Sequence, residues 1–195
     1  DLHMHSTASD GALDPPDLVA RAVANGVQIM ALTDHDTVAG QAAAREAARH
    51  SGVHYVHGVE ISVTWGGETI HVVGLDFEPN HTGLSDTLLA IQVGRLGRAR
   101  AMARGLVDHG LPDLFDQAMG YAQNPTLIGR THFARALVAQ GICSDMNTVF
   151  QRFLTPGKPG YLVHQWASLS QAVGAIRGAG GVAVLAHPAR YRLSA

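Results

Sequence analysis

The chain has 195 residues, 46% of them apolar, and a formal net charge of −2 with histidine counted neutral; this suits one domain of ordinary size, or one domain carrying an insertion, with apolar side chains enough for a core. The single cysteine, Cys143, rules out an intramolecular disulfide and a cysteine-rich zinc cluster and fits a reducing, cytoplasmic compartment, while no apolar run approaches the roughly 18–20 residues that span a membrane, and no signal peptide is visible. No basic surplus announces a nucleic-acid footprint, although a basic cleft can hide in a neutral total; the unusual count is histidine, 12 against 14 lysines and arginines, and histidine is the commonest metal ligand and a frequent acid or base.

In chain order, "DLHMHSTASDG" (1–11) opens on what reads as a short strand. A helix follows over 14–26, with Asp14 as its cap, Pro15 and Pro16 in its first turn and Gly26 at its end. Leu18, Val19, Ala22 and Val23 are its apolar stripe. "VQIMALT" (27–33) has the continuous apolar character of a buried parallel strand. A polar loop and an alanine-rich helix ending near Gly52 lead to a strand at 53–63, and Gly66–Gly67 turns the chain back as a hairpin into a strand at 68–77. The pattern predicts an α/β fold with a mostly parallel sheet, compatible with a barrel.

Residues 80–168 show no strand alternation. A long helix is predicted over 84–110, carrying Arg95, Arg98, Arg100 and Arg104 on what reads as a solvated face, with further helices at 130–141 and 145–154 and a Pro/Gly loop at 155–161. This stretch reads as a helical insertion, after which a helix (168–181) and a strand (182–188) resume the α/β pattern. The expected division is therefore 1–77 as the first part of the α/β domain, 78–167 as the insertion and 168–195 as the continuation.

Acidic and imidazole side chains recur at the strand ends. His3 and His5 share a face because strand side chains repeat every two residues; Asp10 follows in a loop; "TDHD" (33–36) ends the second strand; Glu60 lies late in the third; His71 is on the hairpin and His187 ends the last strand in "AHP". Active sites of parallel α/β folds gather at such ends. Singly, a histidine here is more often a core or surface residue, and His50, His54, His57, His81 and His109 are assigned to that bland class. Asp34 and Asp36 alone fit a helix cap. Jointly, these groups are too many to be paired by the few basic residues on those strands, and buried charge must be paired or bound to metal. Imidazole and carboxylate without thiolate suit Zn, Mn, Fe or Co, and a carboxylate placed like Glu60 can bridge two ions, an arrangement suited to phosphoryl transfer or hydrolysis.

Together "DLHMHSTASDG", "LTDHDT", "GVEIS", "IHVVGL" and "VLAHP" resemble the PHP (polymerase and histidinol phosphatase) superfamily. "GRTHFARALV", "GKPGY" and "AHPARYRLSA" are similar to its branch of stand-alone phosphoesterases, which act as 3′,5′-nucleoside bisphosphate phosphatases or as 5′→3′ exoribonucleases on short RNA. The resemblance implies a distorted (β/α)7 barrel, here incomplete, with a helical insertion domain. It implies a centre of two or three divalent ions (Mn, Zn or Fe) held by His3, His5, Asp10, His35, Glu60, His71 and His187, with Glu60 bridging and Asp1, Asp34 and Asp36 orienting imidazoles. The family also has a strand ending in Asp-x-His beyond "AHP" and residues ahead of "DLHMH", so the chain is expected to be part of a longer protein that contributes two more ligands.

The expected chemistry is attack of a metal-bridging hydroxide on phosphorus, with Glu60, Asp34 and His132 in catalytic parts. Arg130, Lys158 and Arg190, matching basic positions of the branch, are expected to grip phosphates, the alternative for each being a solvated surface charge. Tyr161 and Trp166 are open either to stacking on a base or to a place in the core. The expected substrate is a nucleoside bisphosphate or short 5′-phosphorylated RNA, with no obligate protein partner inferred. Rival readings are a histidinol-phosphate phosphatase, a non-catalytic metal-stabilised module and an amidohydrolase-like C–N hydrolase.

Overall fold

In the computed structural model of the chain, which describes residues 1–122 and 124–191, the Asp14 side chain accepts from the Asp17 amide at 2.9 Å and so caps α1 (Pro15–Ala24). The chain continues through β1 (Ile29–Leu32), α2 (Gln41–Ser51), β2 (His54–Trp65) and β3 (Glu68–Leu75). Helices α3 (Thr82–Asp108), α4 (Phe115–Tyr121), α5 (Arg130–Ala139) and α6 (Met146–Val149) follow, then β4 (Ala167–Ser168), α7 (Leu169–Gly178) and β5 (Val182–Leu185). Residues 192–195, which end both the quoted "AHPARYRLSA" motif and the third expected segment, lie outside the described residues.

The sheet is mixed, which corrects the expectation of a mostly parallel one. β1 pairs with β2 in parallel and β4 adds in parallel to the end of β2, but β2–β3 and β3–β5 are antiparallel. The cause is local: β2 and β3 are joined by two residues, a length that admits only an antiparallel neighbour. Gly66 and Gly67 supply the positive φ values, 57° and 81°, that a twist-matched two-residue hairpin needs. The expected first strand is reduced to one parallel bridge, Met4 with Leu32, flanked by hydrogen bonds from the Ala31 amide to the Asp1 carbonyl (2.9 Å) and from the Thr33 amide to the Met4 carbonyl (2.8 Å). That suffices to hold 1–5 in extended register beside β1.

The chain divides into two compact units, one made of Asp1–Ile91 with the chain from Gln165 onward and the other of Gln92–His164, so that Thr82–Ile91 of α3 packs with the sheet. In the first unit Val59, Ile61 and Val63 of β2 are buried with Ala172 and Ile176 of α7 and Leu84 and Leu88 of α3. On its other side Met30 and Leu32 meet Val19 and Ala22 of α1 and Ala44 and Ala48 of α2. Gly74 lets α7 lie close on β3, since a Cβ there would stand 2.9 Å from Ile176 Cγ1. In the second unit Ala99, Met102 and Leu106 of α3 pack with Phe133 and Leu137 of α5. Arg95 is only 8% exposed and Arg98 is half-buried, so the expected solvated arginine face holds for Arg100 and Arg104 and is corrected for the other two. Among the described residues no helix is long and apolar enough to cross a membrane.

Candidate metal centre

Glu60, 1% exposed on β2, is the hub of the first unit's polar cavity. Extended backbone over 3–5 sends His3 and His5 to one side, and each brings Nε2 to 3.1 Å from Glu60 Oε2. The parallel bridge between His35 and Glu60 brings His35 Nδ1 to 3.3 Å from the same oxygen. The other oxygen, Oε1, meets His71 Nδ1 of β3 at 3.1 Å and His187 Nε2, just beyond β5, at 3.0 Å, both with hydrogen-bond geometry. Successive ring centroids stand 5.2 Å (His3–His5), 4.6 Å (His5–His35), 4.8 Å (His35–His71), 5.4 Å (His71–His187) and 5.8 Å (His187–His3) apart, closing a ring of five imidazoles. Asp10 and Arg190 join them around a cavity of about 350 Å³.

Electrostatics explains what this arrangement can hold. One carboxylate carries one negative charge and cannot pair with five imidazolium ions, yet a neutral imidazole facing a carboxylate through its lone pair is repelled; cations between the donors resolve both conflicts. The Nδ1 atoms of His5 and His35 are buried without a hydrogen-bond partner. Donor atoms lie within 4.8 Å of one another in three overlapping sets: His3, His5 and Glu60; His5, Asp10 and His35; and His35, Glu60 and His71. Nitrogen and oxygen donors without sulfur fit a first-row divalent ion. Burial, with His5 and His71 reinforcing it against Glu60, depresses the His35 pKa to about 4; burial likewise lowers that of His187. Both rings are thus neutral and competent to ligate at neutral pH. Burial also works to lower His5, but Glu60, Asp10 and Asp34 outweigh it and raise its pKa. For Glu60, burial pushes upward and the surrounding imidazoles, His5 and His71 foremost, hold the carboxyl well below its usual range.

The aspartates expected to orient imidazoles hold backbone and hydroxyl groups beside them. Asp34 accepts from the Ser6 amide (2.7 Å), the Ser6 hydroxyl (2.6 Å) and the Ser9 hydroxyl (2.6 Å), and its pKa is raised because burial outweighs these bonds. Asp36, at φ 51°, accepts from the Ser62 amide (2.6 Å) and hydroxyl (2.8 Å), and Ser62 is the register partner of His71. Asp1 accepts from the His3 amide at 3.1 Å. His187 itself sits at φ 32°, a region that side chains other than glycine rarely adopt and that recurs where a functional group must be aimed.

Arg130, His132, Lys158 and Tyr161 belong to the second unit. Arg130 opens α5, donates from Nη1 to the Leu154 carbonyl at 3.2 Å and lies 5.8 Å from the Phe150 and Tyr161 ring centroids. His132 is buried, and its Nδ1 accepts from the Gly129 amide at 3.0 Å, fixing the first turn of α5. Lys158 is exposed in the turn closed by Lys158 N to Thr155 O and Tyr161 N to Lys158 O. Trp166, placed in the first unit, packs partly buried against its sheet-and-α7 core, with its amide on Thr64 Oγ1 at 2.8 Å. Sequence reasoning passed over Tyr191, whose hydroxyl accepts from the His71 amide (2.9 Å) and meets His187 Nδ1 (3.0 Å). Its only signal was its place four residues after His187. Ser6, Ser9 and Ser62 were overlooked as well, because nothing local marks a serine as an aspartate's partner.

Comparison with known proteins agrees with this geometry. Residues 1–134 match the PHP domain family, and the chain belongs to that family. It is 53% identical over 191 residues to a 3′,5′-nucleoside bisphosphate phosphatase of Chromobacterium violaceum, covering 98% of this chain and 67% of that protein. It is 42% identical over 194 residues to a 5′-3′ exoribonuclease of Haemophilus influenzae, covering 100% and 70%. Its fold superimposes on the solved structure of a C. violaceum amidohydrolase with bound sulfate and no metal, at TM-score 0.97 and 52% identity, over 100% of this chain and 68% of that one. A candidate metal-dependent phosphoesterase of Bifidobacterium adolescentis gives TM-score 0.92 at 30% identity, over 100% and 70%.

Proposed function

We propose that the protein is a metal-dependent phosphoesterase that hydrolyses phosphate monoesters of nucleotides, foremost the 3′-phosphate of 3′,5′-nucleoside bisphosphates, with short 5′-phosphorylated RNA as a related substrate. The observation that carries this is the ring of five imidazoles closed around Glu60, with Asp10 beside it, together with relatives that are a nucleoside bisphosphate phosphatase and an exoribonuclease.

One divalent ion would be held by His3, His5 and Glu60 and a second by His35, His71 and Glu60, sets whose donor atoms lie within 4.8 Å of one another. Glu60 would then be shared, Asp10 with His5 and His35 would hold a third ion, His187 beside Glu60 Oε1 would add a ligand, and Mn, Zn or Fe is the expected element. Such ions supply Lewis acidity toward the phosphoryl oxygens and a deprotonated water at neutral pH. The chain's own part is to hold those ions in one geometry: Asp34 fixes the loop after His5, and Tyr191 fixes His71 relative to His187. Arg190, which lines the cavity, is assigned with Arg130 and Lys158 to the substrate's phosphates. His132 supports Arg130 by fixing the first turn of α5. The wider reading is a distorted (β/α)7 barrel with a helical insertion over about 78–167, a cytoplasmic setting and no obligate protein partner.

The test is phosphate release from 3′-phosphoadenosine 5′-phosphate with Mn²⁺, in a protein extended to the length of its relatives. Release should fall more than about 100-fold in Glu60→Gln, because changes one layer further out already cost 10–100-fold. No release with metal shown to be bound refutes the bisphosphatase reading. A second reading, C–N hydrolysis, is favoured only by the amidohydrolase description of a structural neighbour; assay of amide substrates under the same conditions separates the two.

A further inference from the structure

Gln41 is the first residue of α2 and is only 3% exposed. Its amide lies where β1 and β2 part. The two strands pair residue by residue up to Leu32–His57 and meet again only at the single bridge His35–Glu60. Across that opening Gln41 Nε2 donates to the Leu32 carbonyl at 2.8 Å and to the Gly58 carbonyl at 2.7 Å. Its Oε1 accepts from the Tyr55 hydroxyl at 2.7 Å and meets His57 Nδ1 at 3.0 Å and the Gly58 amide at 3.4 Å. A Cβ on Gly58 would stand 2.6 Å from the Leu32 carbonyl oxygen, so the opening is bridged by a side chain from α2 and by none from β2.

The bonding explains the residue type. Two buried carbonyls need donors, and a hydroxyl and an imidazole N–H need an acceptor; a primary amide offers two N–H groups and two lone pairs side by side. A carboxylate lacks the donors and an ammonium lacks the acceptor. These bonds saturate the amide, so its part is to fix Leu32 and Gly58 relative to one another. Those residues stand three before His35 and two before Glu60, and the chain between is tightly coupled: the Glu60 amide donates to the Asp34 carbonyl at 3.2 Å and the Asp36 amide to the Glu60 carbonyl at 2.9 Å. A shift at Leu32 or Gly58 is therefore carried to the 3.3 Å approach of His35 Nδ1 to Glu60 Oε2. Each of the three donor sets contains His35, Glu60 or both. We infer that Gln41 is a positioning residue of the metal centre, which by bracketing Leu32 and Gly58 sets the separation of His35 and Glu60 and so the affinity and geometry of every ion held there. That ions are held there rests on the function proposed above.

The test is titration of Mn²⁺ and Co²⁺ into the same extended protein, with the Co²⁺ visible absorption read as a signature of ligand geometry and urea unfolding followed in EDTA. Gln41→Met, close to glutamine in length and without a donor, should weaken Mn²⁺ binding by about tenfold, the lower end of what a ligand's outer partners are worth, and should shift the Co²⁺ band. Gln41→Glu, which keeps the shape and exchanges donors for lone pairs, should weaken it at least as much. Tyr55→Phe, which removes one partner of Oε1, should weaken it by a smaller factor. Ala44→Gly, in the same helix and buried against Met30 and Leu32, controls for stability alone: it should lower the unfolding midpoint and leave Mn²⁺ affinity and the Co²⁺ band as in the parent. Unaltered affinity and band in Gln41→Met, or in Tyr55→Phe should Gln41→Met not fold, overturns the positioning role. So does a loss of affinity in Ala44→Gly equal to that in Gln41→Met. An unaltered protein that binds neither ion overturns the metal-centre reading and this inference with it, whereas equal binding by parent and Gln41 variants removes the inference alone.

Discussion

Asp34 is bonded twice by a single residue: the amide of Ser6 reaches Oδ1 at 2.7 Å and its hydroxyl reaches Oδ2 at 2.6 Å. With Ser9 on Oδ1, this carboxylate gathers the loop that carries His5 and Asp10 and is itself the neighbour of His35. Asp34→Ala leaves three donors without their acceptor, in a place where Asp34 and Ser6 are buried, and should destabilise the metal-free protein by about 2–3 kcal/mol. Ser6→Ala removes one hydroxyl and should cost about 1–2 kcal/mol. Urea unfolding of both variants in EDTA checks this; an Asp34→Ala protein as stable as the parent would show that the loop is held by something else.

Gly11 is packed against the backbone it turns back upon. A Cβ there would collide with the His5 carbonyl oxygen and stand 2.6 Å from its carbon and 2.8 Å from that of Ser6, atoms that cannot rotate away. Gly11→Ala should therefore displace Asp10 relative to His5 and His35. The expected outcome is a loss of Mn²⁺ affinity of about tenfold or more, read by titration. Unaltered affinity would show that Asp10 is not among the ligands.

Some of this was legible in the chain and some was not, for physical reasons. His3, His5, His35, Glu60, His71 and His187 could be grouped because strand periodicity and strand ends are local properties, and the structure places all six with Asp10 around one cavity. The hairpin was legible because Gly66–Gly67 is a backbone requirement written in two residues. The sheet's mixed character was legible only in part: the antiparallel β2–β3 pair follows from that hairpin, whereas the antiparallel β3–β5 pair joins strands separated in the chain by the whole of the second unit. The burial of Arg95 was hidden too, since a helix with arginines at 95, 98, 100 and 104 looks solvated until a second helix is laid beside it. Tyr191 shows the same limit, its two partners lying 120 and 4 residues away.

Tyr191 leads to a third prediction. Its hydroxyl touches both the His71 backbone and the His187 ring, so Tyr191→Phe keeps the packing and loses the alignment of two imidazoles that face Glu60 Oε1. Metal affinity should fall about tenfold or more, with little change in the unfolding midpoint of the metal-free protein. A fall in midpoint with affinity preserved would make Tyr191 a packing residue only.

The cap of α6 gives a prediction about pH that is independent of the metal centre. Asp145 accepts from the Thr148 amide at 2.9 Å and hydroxyl at 2.8 Å and from the Ser144 hydroxyl at 2.9 Å. Those bonds, the Thr148 amide foremost, lower its pKa below the usual 3.8. A carboxyl with a depressed folded-state pKa binds fewer protons folded than unfolded, so its contribution is complete above the unfolded value and disappears as pH falls through the folded one. Asp145→Ala should accordingly lower the thermal midpoint by a constant amount at pH 5–8, and the gap between the two proteins should narrow as pH drops below about 4. The helix cap is the physical cause, so Asp145→Asn, which keeps an acceptor oxygen but no titration, should show an intermediate midpoint whose distance from Asp145→Ala does not change with pH. A gap between parent and Asp145→Ala that stays constant into acid would mean that the carboxylate charge contributes nothing to the cap.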